Sequence, residues 1–145
     1  MQSLEKLKPL ALLLLRAALG VIFMYNGYPK LFGHTRESMQ AFVHMGFPSY
    51  FAYIAGVLEL FGGGLLIAGL FTRVAGLLLA VEMGIAAVQV GKIISAPRSV
   101  INYQLPLTLA AGAFVLAALG GGLISLDQIF FPEGRSSPRK SKAKD

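Results

Sequence analysis

Three ionisable side chains stand where the surrounding sequence is almost wholly apolar: Arg16 within PLALLLLRAALGVIFMYNGY, Glu59 within GVLELFGGG and Glu82 within LAVEMGIAAVQVG. A charge near the centre of a bilayer costs roughly 2.5–3.5 kcal/mol on insertion scales, so such residues face the inside of a helix bundle and pair there. At the helical rise, Arg16 falls about 10 Å, Glu82 about 12 Å and Glu59 about 18 Å from the same membrane face. Arg16 and Glu82 are therefore expected to pair, with Glu59 about one turn further along. One guanidinium against two carboxylates leaves a carboxyl over. Glu59, the less well matched in depth, is the one expected to hold a proton. A layer of this kind reads either as a buried ion pair that fixes helix register or as a site that handles protons or a ligand.

Helical spacing extends the layer. At 100° per residue Arg16, Gly20, Phe23, Gly27 and Lys30 share one stripe, and Gln89 follows Glu82 by seven positions on one face. Asn26, Lys30, Gln89 and Gln104 are expected to line an outer mouth above the ionic layer. Tyr25, Tyr28 and Tyr103 read as aromatic belt residues at the headgroups.

The elements that must position these groups follow from the composition. Of 145 residues, 55% are hydrophobic and 14% charged, and only nine charges fall between Pro9 and Leu126. Nine charges cannot cover a water-soluble domain, and no apolar run has a polar face. The fold class expected is an all-α membrane protein, a four-helix bundle with spans at about 9–28, 50–71, 74–91 and 105–126. Arg16 interrupts the first run and apolar character continues past it, so it reads as a retained span and not a cleaved leader. Residues 1–130 form one domain, and residues 131–145, basic and Ser/Lys-rich, a disordered tail.

Lys6, Lys8, Arg73, Arg135, Arg139, Lys140, Lys142 and Lys144 fall on one side, against Lys30, Arg36, Lys92 and Arg98 on the other, which puts both termini in the cytoplasm. In the first outer loop Thr35 is expected to cap a short amphipathic helix reaching about Met45, with Met39, Phe42 and Val43 on one side and Gly46 and Pro48 ending it. That helix lies on the membrane surface or lids the bundle. Gly56, Gly62, Gly63, Gly69 and Gly112 read as close-packing positions.

What is missing excludes chemistry. With no cysteine, the chain itself holds no disulfide or thiol redox pair. With no histidine in a span, it supplies no axial pair for a haem in the bundle. His34 and His44 fall short of a metal set, and no catalytic triad is visible. An electron-transfer role would need a bound carrier such as quinone, or a partner subunit. The bilayer and a protein partner or second copy are the expected partners; nucleic acid is not.

Residues 16–33 carry Arg-x3-Gly-x2-Phe-x3-Gly-x2-Lys-Leu-Phe-Gly. They are followed by Gly46 and Pro48, the embedded Glu59, Gly69-x2-Thr72-Arg73, and a closing Gly-x-x-Ser-x-Asp ending at Asp127. In this order the chain resembles the DoxX family over about residues 10–130. The resemblance implies a four-helix protein of a bacterial-type inner membrane. It also implies links to thiosulfate:quinone oxidoreduction, to oxidative and thiol stress, or to the maturation of partner proteins. Gln104 stands where many members carry a glutamate, and it hydrogen-bonds but cannot titrate. The leading expectation is an accessory subunit of a redox or stress system, contacting quinone through the Arg/Glu core. The alternatives are a non-enzymatic scaffold or chaperone-like subunit and, third, a small transporter or channel.

Overall fold

The computed structural model describes residues 2–93 and 100–131, which form helices joined by turns, with no strand among them. The order is α1 (Gln2–Glu5), α2 (Lys8–Leu31), α3 (Thr35–His44), α4 (Phe51–Ala68), α5 (Thr72–Ile93), α6 (Val100–Leu119) and α7 (Leu126–Phe130). The basic tail beyond Phe131, Arg98, and the side chains of Lys92 and Tyr103 lie outside the described residues.

Helices α2, α4 and α5 are long and apolar enough to cross a membrane; α6 contributes a shorter apolar stretch, Gln104–Leu119. Their outward faces expose Leu14, Val21, Phe61, Val81 and Phe114. An apolar exterior of this kind suits a helix bundle in hydrocarbon, where every backbone group is satisfied within its own helix. The core is assembled from Leu12, Leu19, Phe23, Leu66, Leu79, Leu109 and Leu116.

Helix α2 packs most extensively on α4, and α5 on α6, with a lesser contact between α4 and α5. Glycine makes the first pairing. A Cβ at Gly20 would sit 2.6 Å from the Gly63 carbonyl oxygen, and one at Gly27 would sit 2.9 Å from that of Gly56. The two glycines on each helix are seven residues apart, so one seam runs along the antiparallel pair with backbone against backbone. The stripe read from the sequence is this seam: Arg16, Gly20, Phe23 and Gly27 are all buried.

The spans differ from the expected ranges for local reasons. Pro29 forgoes one helical hydrogen bond, yet α2 runs on to Leu31 and keeps Lys30 on the helix. Helix α6 stops at Leu119 instead of near residue 126, because Gly120 (φ 77°) turns the chain. Helix α3 starts at Thr35, but His34 stands at the cap position and no side chain caps it. It ends at His44, one residue short of the expected boundary, with Gly46 at φ 86° just beyond.

Candidate functional site

The α2–α4 seam sets up the site. Because residue 27 is glycine, α4 approaches until a Cβ there would touch the Cβ of Glu59 at 2.8 Å. Lys30, one turn further along α2, then reaches across, and its Nζ donates to both Glu59 carboxylate oxygens at 2.7 Å. The Glu59 side chain is 1% exposed and that of Lys30 21%. The ammonium also lies 5.7 Å from the centre of the Phe42 ring on α3, within reach of a cation–π attraction.

This ion pair forms part of the wall of a cavity of about 370 Å³. Ser38, Ala41 and Phe42 line it from α3, with Met45 just beyond its end at the same helical spacing; Phe51, Ile54 and Leu58 from α4; Glu82, Met83 and Ala86 from α5. The face of α3 turned to the bundle is therefore Ser38–Ala41–Phe42–Met45. Val43, grouped with Phe42 from the sequence, is exposed. Both carboxyl oxygens of Glu82 are buried with no hydrogen-bond partner among the described residues.

The expected pairing of Arg16 with Glu82 is not formed. Arg16 is buried, but its Nη2 donates to the Ile124 carbonyl, and its Nε and Nη1 have no hydrogen-bond partner among the described residues. Its guanidinium packs against Gly69, where any Cβ would collide with it. Gly69 closes α4 in the left-handed conformation (φ 72°). Arg16 thus lies level with the α4–α5 turn. Depth counted from the ends of apolar runs failed because the first two turns of α2 extend past that turn. Glu59 is correspondingly the paired carboxylate and Glu82 the lone one, the reverse of the sequence reading.

The remaining candidates separate. Of the expected mouth residues Asn26, Lys30, Gln89 and Gln104, Lys30 alone lines the cavity. Asn26 is half-buried on α2, Gln104 is exposed, and Gln89 borders a different, smaller pocket with Val81, Gly84, Ile85 and Val88. No group of three or more metal-binding side chains occurs among the described residues.

The sequence reading placed Asp127 at the end of the closing Gly-x-x-Ser-x-Asp motif but gave it no structural role. In the fold it accepts from the Phe71 and Thr72 backbone N–H groups at 2.6 and 2.8 Å, satisfying the free N-terminus of α5. Its own N–H donates to the Gly69 carbonyl at 2.9 Å. Arg73 Nη1 donates to the Ala118 carbonyl at 2.8 Å. The signal was the fixed spacing of Ser125 and Asp127 after the glycine run: Ser125 caps α7 through the Gln128 N–H, which brings Asp127 over the turn. Arg16 and Asp127 therefore build a structural corner at the end of the bundle away from Lys30.

Residues 11–92 match the DoxX family model. A protein of Bacillus subtilis named "Putative oxidoreductase CatD" is 36% identical over 122 residues, covering 82% of this chain and 86% of that one. The "Inner membrane protein YphA" of Escherichia coli is 31% identical over 130 residues, covering 83% and 91%. No solved structure matches. The family motif is carried by residues with visible structural work: Gly20 and Gly27 in the seam, Lys30 at the cavity, Arg16 and Asp127 in the corner. With the family model matched over more than half of its length, the chain belongs to the DoxX family.

Proposed function

We propose that this protein is an accessory membrane subunit of a redox system, crossing the bilayer four times with both termini in the cytoplasm, and that its cavity receives a quinone headgroup. The observation that carries this reading is the Lys30–Glu59 pair set in the wall of a cavity that, apart from Ser38 and Glu82, is lined by Phe42, Phe47, Phe51 and other apolar side chains. An ammonium has three donors, and Glu59 takes up two of them. The third is available for a carbonyl oxygen, while the phenyl rings supply apolar walls for a flat ring. The name of the Bacillus subtilis relative supports the redox assignment. A bound quinone would supply the electron-carrying chemistry, with a partner protein exchanging the electrons. The chain's own residues bind and orient.

The test is binding of a short-chain ubiquinone to the protein purified in detergent. Saturable binding that Lys30→Met weakens roughly tenfold or more, the worth of one charge-assisted hydrogen bond, is the expected result. No saturable binding by folded protein, or equal affinity in the variant, overturns the reading. A second reading, a scaffold whose polar core serves packing alone, draws support from Arg16, which is spent on the corner and not on the cavity.

A further inference from the structure

The charges around the cavity do not balance. Lys30 on α2 neutralises Glu59 on α4 through two contacts of 2.7 Å. Glu82 on α5 stands beside them with both oxygens buried and no hydrogen-bond partner among the described residues. Among the described residues that line the cavity, no other side chain is charged. The lining residues of α3 and its C-cap are Ser38, Ala41, Phe42 and Met45, all uncharged, and α6 contains no Asp, Glu, Lys, Arg or His. A lone carboxyl in apolar surroundings is stable only with a proton or with a cation beside it.

We propose that this cavity binds hydrophobic organic monocations, with Glu82 as their counter-charge, entry of the cation displacing one proton from the carboxyl. The volume of about 370 Å³ falls within the range of small-molecule sites. Three phenyl rings, Phe42, Phe47 and Phe51, line it, and the attraction of a positive charge to such faces is already in use, with Lys30 5.7 Å from the Phe42 ring centre. A metal ion fits badly, because hard cations require a shell of roughly six or more oxygens, and beyond the two carboxyl groups the lining side chains offer only the Ser38 hydroxyl. An anion fits worse, since the charge of the ammonium is already balanced by Glu59 and Glu82 would repel it. One uncompensated carboxyl selects a single positive charge on an apolar body. This proposal does not rest on the quinone reading, although the cavity is the same.

The experiment is equilibrium binding of methyltriphenylphosphonium to the full-length protein in detergent, with short-chain ubiquinone titrated into the same preparation. Saturable one-to-one binding, release of about one proton per cation, and affinity that falls as pH is lowered, by up to about tenfold per pH unit, are expected. Glu82→Gln keeps the shape of the side chain and should lose at least tenfold in cation affinity. Where that variant fails to fold, proton release and pH dependence in the wild type decide. Absence of saturable cation binding by folded wild type, equal binding by Glu82→Gln, or pH-independent binding overturns the proposal. Quinone binding without cation binding overturns this proposal alone; cation binding without quinone binding supports it and overturns the other reading.

Discussion

Lys30 Nζ lies 2.7 Å from each carboxylate oxygen of Glu59, an ion pair that ties α2 to α4 at the wall of the cavity. Taking away one member leaves the other without compensation, whereas replacing both removes the problem. Lys30→Met is expected to destabilise the protein by about 1–3 kcal/mol, a figure lowered from the fully buried case because the lysine keeps some solvent contact. The double variant Lys30→Met/Glu59→Leu should recover most of that loss. Thermal unfolding in detergent measures both. A double variant no more stable than the single one would contradict the pairing.

The glycine seam makes neighbouring glycines behave oppositely. A methyl group at Gly63 would press on the Gly20 carbonyl oxygen at 2.6 Å, while nothing lies within 4 Å of one at Gly64. Gly63→Ala should cost about 1–3 kcal/mol through forced separation of α2 and α4. Gly64→Ala should be neutral or stabilising by up to about 1 kcal/mol, because alanine suits a helix better. Melting temperatures of the two variants side by side give the answer.

Asp127 satisfies the first N–H groups of α5 with bonds of 2.6 and 2.8 Å. Asp127→Ala is expected to cost about 1–2 kcal/mol, the usual worth of a helix cap. The Phe71 and Thr72 amides should exchange faster with deuterium. Unchanged exchange at those two amides would count against the cap.

Arg16 and the cavity lie at different ends of the bundle. Arg16→Leu should therefore lower thermal stability and yield, while folded protein keeps its affinity for ubiquinone and methyltriphenylphosphonium within about twofold, as expected for sites that share no partners. A selective loss of ligand affinity in well-folded Arg16→Leu would place the guanidinium in the ligand site instead.

The chain has no cysteine, so a single introduced thiol reports topology without background. Ser49→Cys should react with a membrane-impermeant maleimide in intact cells, and Ser3→Cys only after lysis. The reverse pattern would invert the orientation that the basic residues imply.

Much of the fold was legible because it follows from periodicity. The stripe from Arg16 to Gly27 is the buried face of α2, and the glycines around Glu59 are contact positions, as spacing alone predicted. The pairing of charges was not legible. It depends on how far one helix slides along its neighbour, and the ends of apolar runs do not mark that slide: α2 begins at Lys8, well before the level of the α4–α5 turn. Lys30 lies after Pro29, a boundary signal that the helix overrides, so its reach to Glu59 depends on a continuation that local preference does not suggest. Asp127 was hidden for a different reason. A charge near a basic tail looks solvated until the glycine turn at Gly120 carries it back onto the start of α5.

The glycine seam also has a geometric meaning. At Gly20–Gly63 and Gly27–Gly56, and again where Gly76 meets the Ala113 carbonyl, backbone meets backbone with no room for a Cβ. The closest packing thus joins α2 with α4 and α5 with α6, and the contact between the two pairs is smaller. Lys30 and Glu59 ride on one helix pair and Glu82 on the other, with the cavity on the joint. The spacing of Glu82 from Glu59 is therefore set by how the two helix pairs meet, whereas the Lys30–Glu59 pair is set within one of them.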